Sequence, residues 1–144
     1  MIQKSDGALI FSWAAFYGLA LGALVLSGNF TSEIIYLFCR KEAYTLGTFG
    51  EVWANWHAIG CIFVGLTNLV VALDNNETDF KPKARSGIAM NTSFIFGVWG
   101  AQNLYYCLYR QDLFVSFMWL HTILCLMTSV LALTTGVKKP IKLK

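Results

Sequence analysis

Four stretches of this chain contain no Asp, Glu, Lys or Arg, and each is long enough to cross a lipid bilayer: residues 8–28, 52–73, 86–109 and 113–137. Helical residues rise ~1.5 Å each, so ~20 of them traverse a hydrocarbon core of about 30 Å. Within hydrocarbon every backbone N–H and C=O must find a partner inside the protein. A helix achieves this within one segment, and none of the four stretches shows the alternation of a barrel strand. The expected fold is therefore an all-α membrane protein, with four transmembrane helices forming one domain over residues 1–144. The composition agrees, since 56% hydrophobic, 13% charged and a mean hydropathy of +0.55 fall outside the soluble globular range. The first stretch is too long for the apolar core of a secretory signal and ends without a small-x-small cleavage pattern, so it is expected to be a retained anchor.

Orientation follows from the basic residues on alternate sides. Lys4, Lys81, Lys83, Arg85, Lys138, Lys139, Lys142 and Lys144 fall on one side, against Arg40, Lys41 and Arg110 on the other. Both termini and the loop at 74–85 are thus expected on the positive-inside face. The tail VKKPIKLK reads as a stop-transfer flank. The sequons at Asn29, Asn76 and Asn91 fall on opposite faces or inside a span, so none is assigned as a glycosylation site. Three of the four cysteines, Cys61, Cys107 and Cys125, lie within spans, which excludes a disulfide framework.

The connections are uneven. Arg110, Gln111 and Asp112 alone separate the third and fourth stretches, predicting a tight antiparallel hairpin with Asp112 capping the fourth helix. The first loop is long. Within it TSEIIYLFCRK (31–41) has an early Glu and a terminal Arg-Lys, predicting a short helix in the interface, and TLGTFGE (45–51) predicts the turn back into the membrane. Trp53 and Trp56 suit an interfacial aromatic belt. Small residues recur every four positions at Ala14, Gly18 and Gly22 and at Ala89, Ser93, Gly97 and Ala101. Such ridges let helix backbones approach closely, and the third-helix ridge, being longer, is expected to be the stronger packing signal.

The chain has two histidines, and each precedes a cysteine by four residues, in HAIGC (57–61) and HTILC (121–125). Both would lie in the outer leaflet, roughly 9 and 13 Å below the start of their spans, with each cysteine one turn deeper on the same face. Gln102 and Asn103 fall at similar depth on the third helix, so His57, Gln102, Asn103, His121 and Thr122 could form one polar layer, with Asn68 and Asn91 as a smaller layer near the inner face. Three readings of these residues stay open. In the first they hydrogen-bond between helices; in the second one or both of His57 and His121 are axial ligands of a haem or chlorophyll, with Gln102, Asn103 or Thr122 holding the ligating rings; in the third the two pairs form a Cys2His2 metal centre.

No acidic or basic residue lies within a span and no span contains proline, so the usual equipment of pumps and transporters is missing. Hydrolase and kinase motifs and Gly-rich phosphate loops are missing too. The expected function is that of a non-enzymatic accessory subunit of a larger membrane complex, without catalytic residues, metal or cofactor. Its expected partners are other membrane subunits and the lipid bilayer, not nucleic acid. The expected host is a respiratory or photosynthetic complex of an organellar inner membrane, such as that of the mitochondrion. The alternatives are a haem- or chlorophyll-binding electron-transfer or pigment protein built on His57 and His121, and a lipid-handling protein of the endoplasmic reticulum.

Overall fold

A computed structural model describes residues 4–27, 36, 37, 39, 40, 48–73 and 82–137, with side chains for 9–27, 36, 37, 39, 40, 54–73 and 84–135. These residues form four long helices: α1 (Lys4–Leu26), α2 (Thr48–Leu73), α3 (Pro82–Tyr109) and α4 (Phe117–Val137). The basic tail, most of the expected interfacial helix at 31–41, the loop before α3 and residues 45–47 lie outside the described residues.

Three helices are long and apolar enough to cross a membrane, through Leu9–Leu26, Ala54–Leu73 and Phe117–Thr135, as a multi-pass membrane protein requires. The expected fourth span, α3, is the longest helix at 28 residues but is less apolar. Its polarity has a structural cause. Thr92, Ser93 and Asn103 are buried among the other helices, where their groups need not face lipid.

The expected boundaries shift at all four helix starts, α1 beginning at Lys4 and not near 8. Thr48–Glu51, expected in a turn, is helical, so α2 tolerates Gly50 in its first turn. Pro82 opens α3, since proline fits the first helical position, where its missing N–H costs no bond. Helix α4 starts at Phe117 and not near 113, because Leu113 N–H bonds Arg110 C=O and closes a turn first. Asp112 consequently does not cap α4. It pairs with Arg110, Nε to Oδ1 3.3 Å, while the first helical turn closes through Met118 N–H to Val115 C=O and Trp119 N–H to Ser116 C=O.

The contacts run antiparallel around a ring of four helices. Gly18 and Gly22 of α1 face Cys61 and Ala58 of α2; Thr92 of α3 meets Asn68 of α2; Ser93 of α3 meets Ser129 of α4; and Trp13 and Tyr17 of α1 meet Thr128 and His121 of α4. Packing is far more extensive within the α1–α2 and α3–α4 hairpins than between them. Each hairpin is sealed by glycine. A Cβ on Gly18 would lie 2.5 Å from Cys61 O, one on Gly65 would lie 2.7 Å from Leu19 N, and one on Gly100 would lie 2.6 Å from the Leu126 side chain. Helices that close can form many dispersion contacts, which matters because lipid offers no hydrophobic drive for their association.

The hairpins join differently, through two mixed layers and a set of polar bonds. Ile10, Phe11, Val71, Ala89 and Ala132 make one layer, and Ala14, Val64, Phe96 and Cys125 the next, each drawing on all four helices. Trp13 Nε1 donates to Thr128 Oγ1 at 2.9 Å, Thr92 Oγ1 to Asn68 Oδ1 at 3.1 Å, and the Arg85 guanidinium lies 5.6 Å from the Phe11 ring centroid. Fully buried side chains include Asn68, Thr92 and Thr122, whereas Phe63 and Phe94 are 73% and 70% exposed. A chain with polar groups inside and aromatics outside is suited to hydrocarbon as its solvent.

At the end where α3 turns into α4, the first loop docks. Cys39 pairs with Phe114 in an antiparallel bridge, Arg40 N–H donates to Leu113 C=O at 2.8 Å, and Arg40 Nε donates to Gln111 C=O at 3.1 Å.

Candidate functional site

Cys61, His121 and Cys125 lie on the inner faces of α2 and α4, whereas His57 does not, and the centre of the group is a residue from α1. Tyr17 is placed by the same four-residue rhythm as the ridge, one position before Gly18, so it points across the bundle while Gly18 seals against α2. Its hydroxyl is hydrogen-bonded to His121 Nδ1 and lies 3.3 Å from Nε2, with the rings nearly parallel at 15° and centroids 5.8 Å apart. Cys125, one turn along α4, completes the group, 4.0 Å from both Tyr17 Oη and His121 Nε2. Cys61 lies fully buried on α2.

His57 has a different setting. It is exposed, and its ring packs on Trp99 with centroids 5.2 Å apart. Between the two histidines run Trp99, Phe96 and Tyr17, with successive centroids 5.3 and 5.5 Å apart. The space in which two axial ligands would face a flat macrocycle therefore holds aromatic side chains. At His121 both ring nitrogens, Nδ1 and Nε2, lie within hydrogen-bond reach of the Tyr17 hydroxyl. Among the described residues no three His, Cys, Asp or Glu side chains are grouped as a metal ion would require.

The expected polar layer divides. Thr122 is buried, donates to Met118 C=O at 2.8 Å and meets Cys107 Sγ at 3.5 Å. Gln102 is exposed and donates to Tyr106 Oη at 3.0 Å along its own helix. Asn103 is buried, and its Nδ2 has no hydrogen-bond partner among the described residues. The ring stacked on and hydrogen-bonded to His121 is that of Tyr17. Of the smaller layer, Asn68 is buried and bonded to Val64 C=O and Thr92, while Asn91 is exposed. Sequence reasoning missed Tyr17 and Thr92. The signal was present in the helical spacing: Trp13 and Tyr17 track the ridge of α1, and Ala89, Thr92, Phe96, Gly100, Asn103 and Cys107 step by three and four along the buried face of α3.

Of the packing ridges, Gly18 and Gly22 make close approaches and Ala14 is fully buried. On α3 the expected ridge holds at Ala89, Ser93 and Gly97, where a Cβ would stand 3.0 Å from Ser129 Oγ. Ala101 is exposed and takes no part, and Gly100 makes the close approach instead. The shorter α1 ridge gives the tighter backbone contact, contrary to expectation, because Gly65 on α2 matches it across the interface.

Two clefts among the described residues are lined without a histidine. One is an apolar groove of about 510 Å³ along the outside of α2, lined by Trp56, Ile59, Gly60 and Phe63. The other, about 160 Å³, lies beneath the docked loop and includes Arg40, Cys107, Ser116 and Trp119. No protein-family model, curated protein or solved structure matches this chain.

Proposed function

We propose that the chain is a four-span membrane protein, with α3 as its fourth span and both termini on the positive-inside face, acting as a non-enzymatic accessory subunit of a larger membrane complex. One observation carries this reading. The polar side chains of the interior are largely spent on bonds between helices, whereas the perimeter carries large apolar groups such as Phe16, Phe63, Phe94 and Met127. A binding or catalytic pocket would instead converge polar groups on a cavity. Such a perimeter suits contact with lipid and with other membrane helices. The proposal invokes no cofactor and no enzymatic turnover. The organellar inner-membrane host belongs to it as well and rests on the class of the chain, not on any residue.

The test is purification of the tagged full chain from its native membrane in a mild detergent, followed by native mass spectrometry. The reading predicts release with the same partner subunits in fixed stoichiometry. Recovery as a monodisperse monomer from every membrane fraction would overturn it.

A further inference from the structure

The redox chemistry of a tyrosine depends on where its phenolic proton can go. Removing an electron from a phenol makes it strongly acidic, and inside a bilayer no water stands ready to take the proton. Only a base already in hydrogen-bond reach can do so. Tyr17 has one in His121 Nδ1, which accepts the phenolic O–H when the imidazole carries its own proton on Nε2. Tyr106 lacks such a base, since its hydroxyl receives a bond from the Gln102 amide.

Tyr17 also lies on a continuous path of rings to the surface. Its ring is 5.5 Å from Phe96, Phe96 is 5.3 Å from Trp99, and half-buried Trp99 is 5.2 Å from exposed His57. A phenylalanine ring is too hard to oxidise to hold a hole, so Phe96 bridges, and Trp99 is the stepping stone that an external oxidant meets. Trp13, 5.9 Å from Tyr17 and bonded to Thr128, flanks the tyrosine on the other side.

We propose that Tyr17 is a redox-active side chain that quenches one-electron oxidants of the lipid peroxyl radical class, with His121 as the acceptor of its proton. An electron leaves Tyr17 through Phe96 and Trp99 and reduces the peroxyl radical to a peroxide anion, which takes a proton at the water interface and becomes a lipid hydroperoxide. The phenolic O–H bond breaks as its proton forms a bond to His121 Nδ1. A neutral tyrosyl radical and an imidazolium remain. This role is independent of the accessory-subunit reading, since it needs only the four helices of this chain.

The full chain is reconstituted in vesicles of polyunsaturated phosphatidylcholine, a lipid-soluble azo initiator supplies peroxyl radicals, and samples are freeze-quenched for electron paramagnetic resonance. The expected signal is a neutral tyrosyl radical whose spectrum narrows when tyrosine is ring-deuterated. It disappears in Tyr17→Phe, and in His121→Phe it forms about a hundredfold more slowly, the contribution of a positioned proton acceptor. Helical circular dichroism and a monodisperse profile establish that each variant folds. The unmodified chain gives a second readout, slower radical formation in D2O than in H2O. An unchanged signal in folded Tyr17→Phe, formation at the original rate in folded His121→Phe, or equal rates in the two solvents would overturn the proposal.

Discussion

The Gly18 and Gly65 backbones meet so closely that a Cβ on Gly18 would stand 2.9 Å from Gly65 Cα and 2.5 Å from Cys61 O. The obstacles are main-chain atoms, which cannot rotate away as a side-chain tip can. The α1–α2 hairpin is therefore defined by the absence of two methyl groups.

Gly18→Ala should force α1 off α2 and cost about 1–3 kcal/mol, as overpacking does in a close-packed interface. Gly60→Ala is the control, because nothing lies within 4 Å of its would-be Cβ, and it should fall within about ±0.5 kcal/mol. Reversible unfolding in mixed detergent micelles measures both. Equal effects at the two positions would refute the glycine seal.

Between hairpins the expected increments are small. Asn68 Nδ2 donates to Val64 C=O at 2.9 Å and its Oδ1 accepts from Thr92, so Asn68 is satisfied on both sides. A double-mutant cycle of Asn68→Leu and Thr92→Val should give a coupling near the ~0.6 kcal/mol average for membrane hydrogen bonds. A coupling indistinguishable from zero would mean that the bond does not join α2 to α3.

Much of this was legible in the charge-free stretches, because the bilayer leaves a chain so few choices. Four helices, their antiparallel order and the ridges of α1 and α3 follow from length, loop lengths and small residues. What could not be read was rotation about each helix axis. Gln102 and Asn103 are neighbours in sequence, yet one faces outward and the other inward, and the same holds for Asn91 and Thr92. The Tyr17–His121 bond could not be read either, because its two residues lie 104 positions apart on different helices. Asp112 looked like a cap because the turn that ends at Leu113 cannot be distinguished by composition from a first helical turn.

Cys39, in the docked loop, should report the docking through its pH dependence. Burial pushes its thiol above the ordinary range, favouring the neutral form. The thiolate is the species that reacts with maleimide, so labelling near neutral pH should be slower than for an unfolded chain and should catch up as pH rises. The linked stability has the matching sign: it is present below the unfolded thiol's range and lost as pH rises through the raised folded value. Detachment by Arg40→Pro, which removes both the N–H bonded to Leu113 C=O and the guanidinium bonded to Gln111 C=O, should bring the labelling rate at neutral pH up to the unfolded one. Fast labelling in the unmodified folded protein would mean that the loop is not docked.

Residue-resolved labelling by a photoactivated diazirine on lipid tails tests the central claim most directly, because it distinguishes an apolar perimeter built for lipid and partners from one that is merely exposed. In vesicles of the isolated chain, Phe63, Met90, Phe94 and Met127 should be labelled while Asn68, Thr92 and Thr122 are not, since the first set is exposed and the second buried. In native membranes, at least one of those outward faces should become protected along a continuous helical stripe where a partner helix covers it. Labelling of the Asn68 and Thr92 face, or an identical pattern in vesicles and native membranes, would contradict the account.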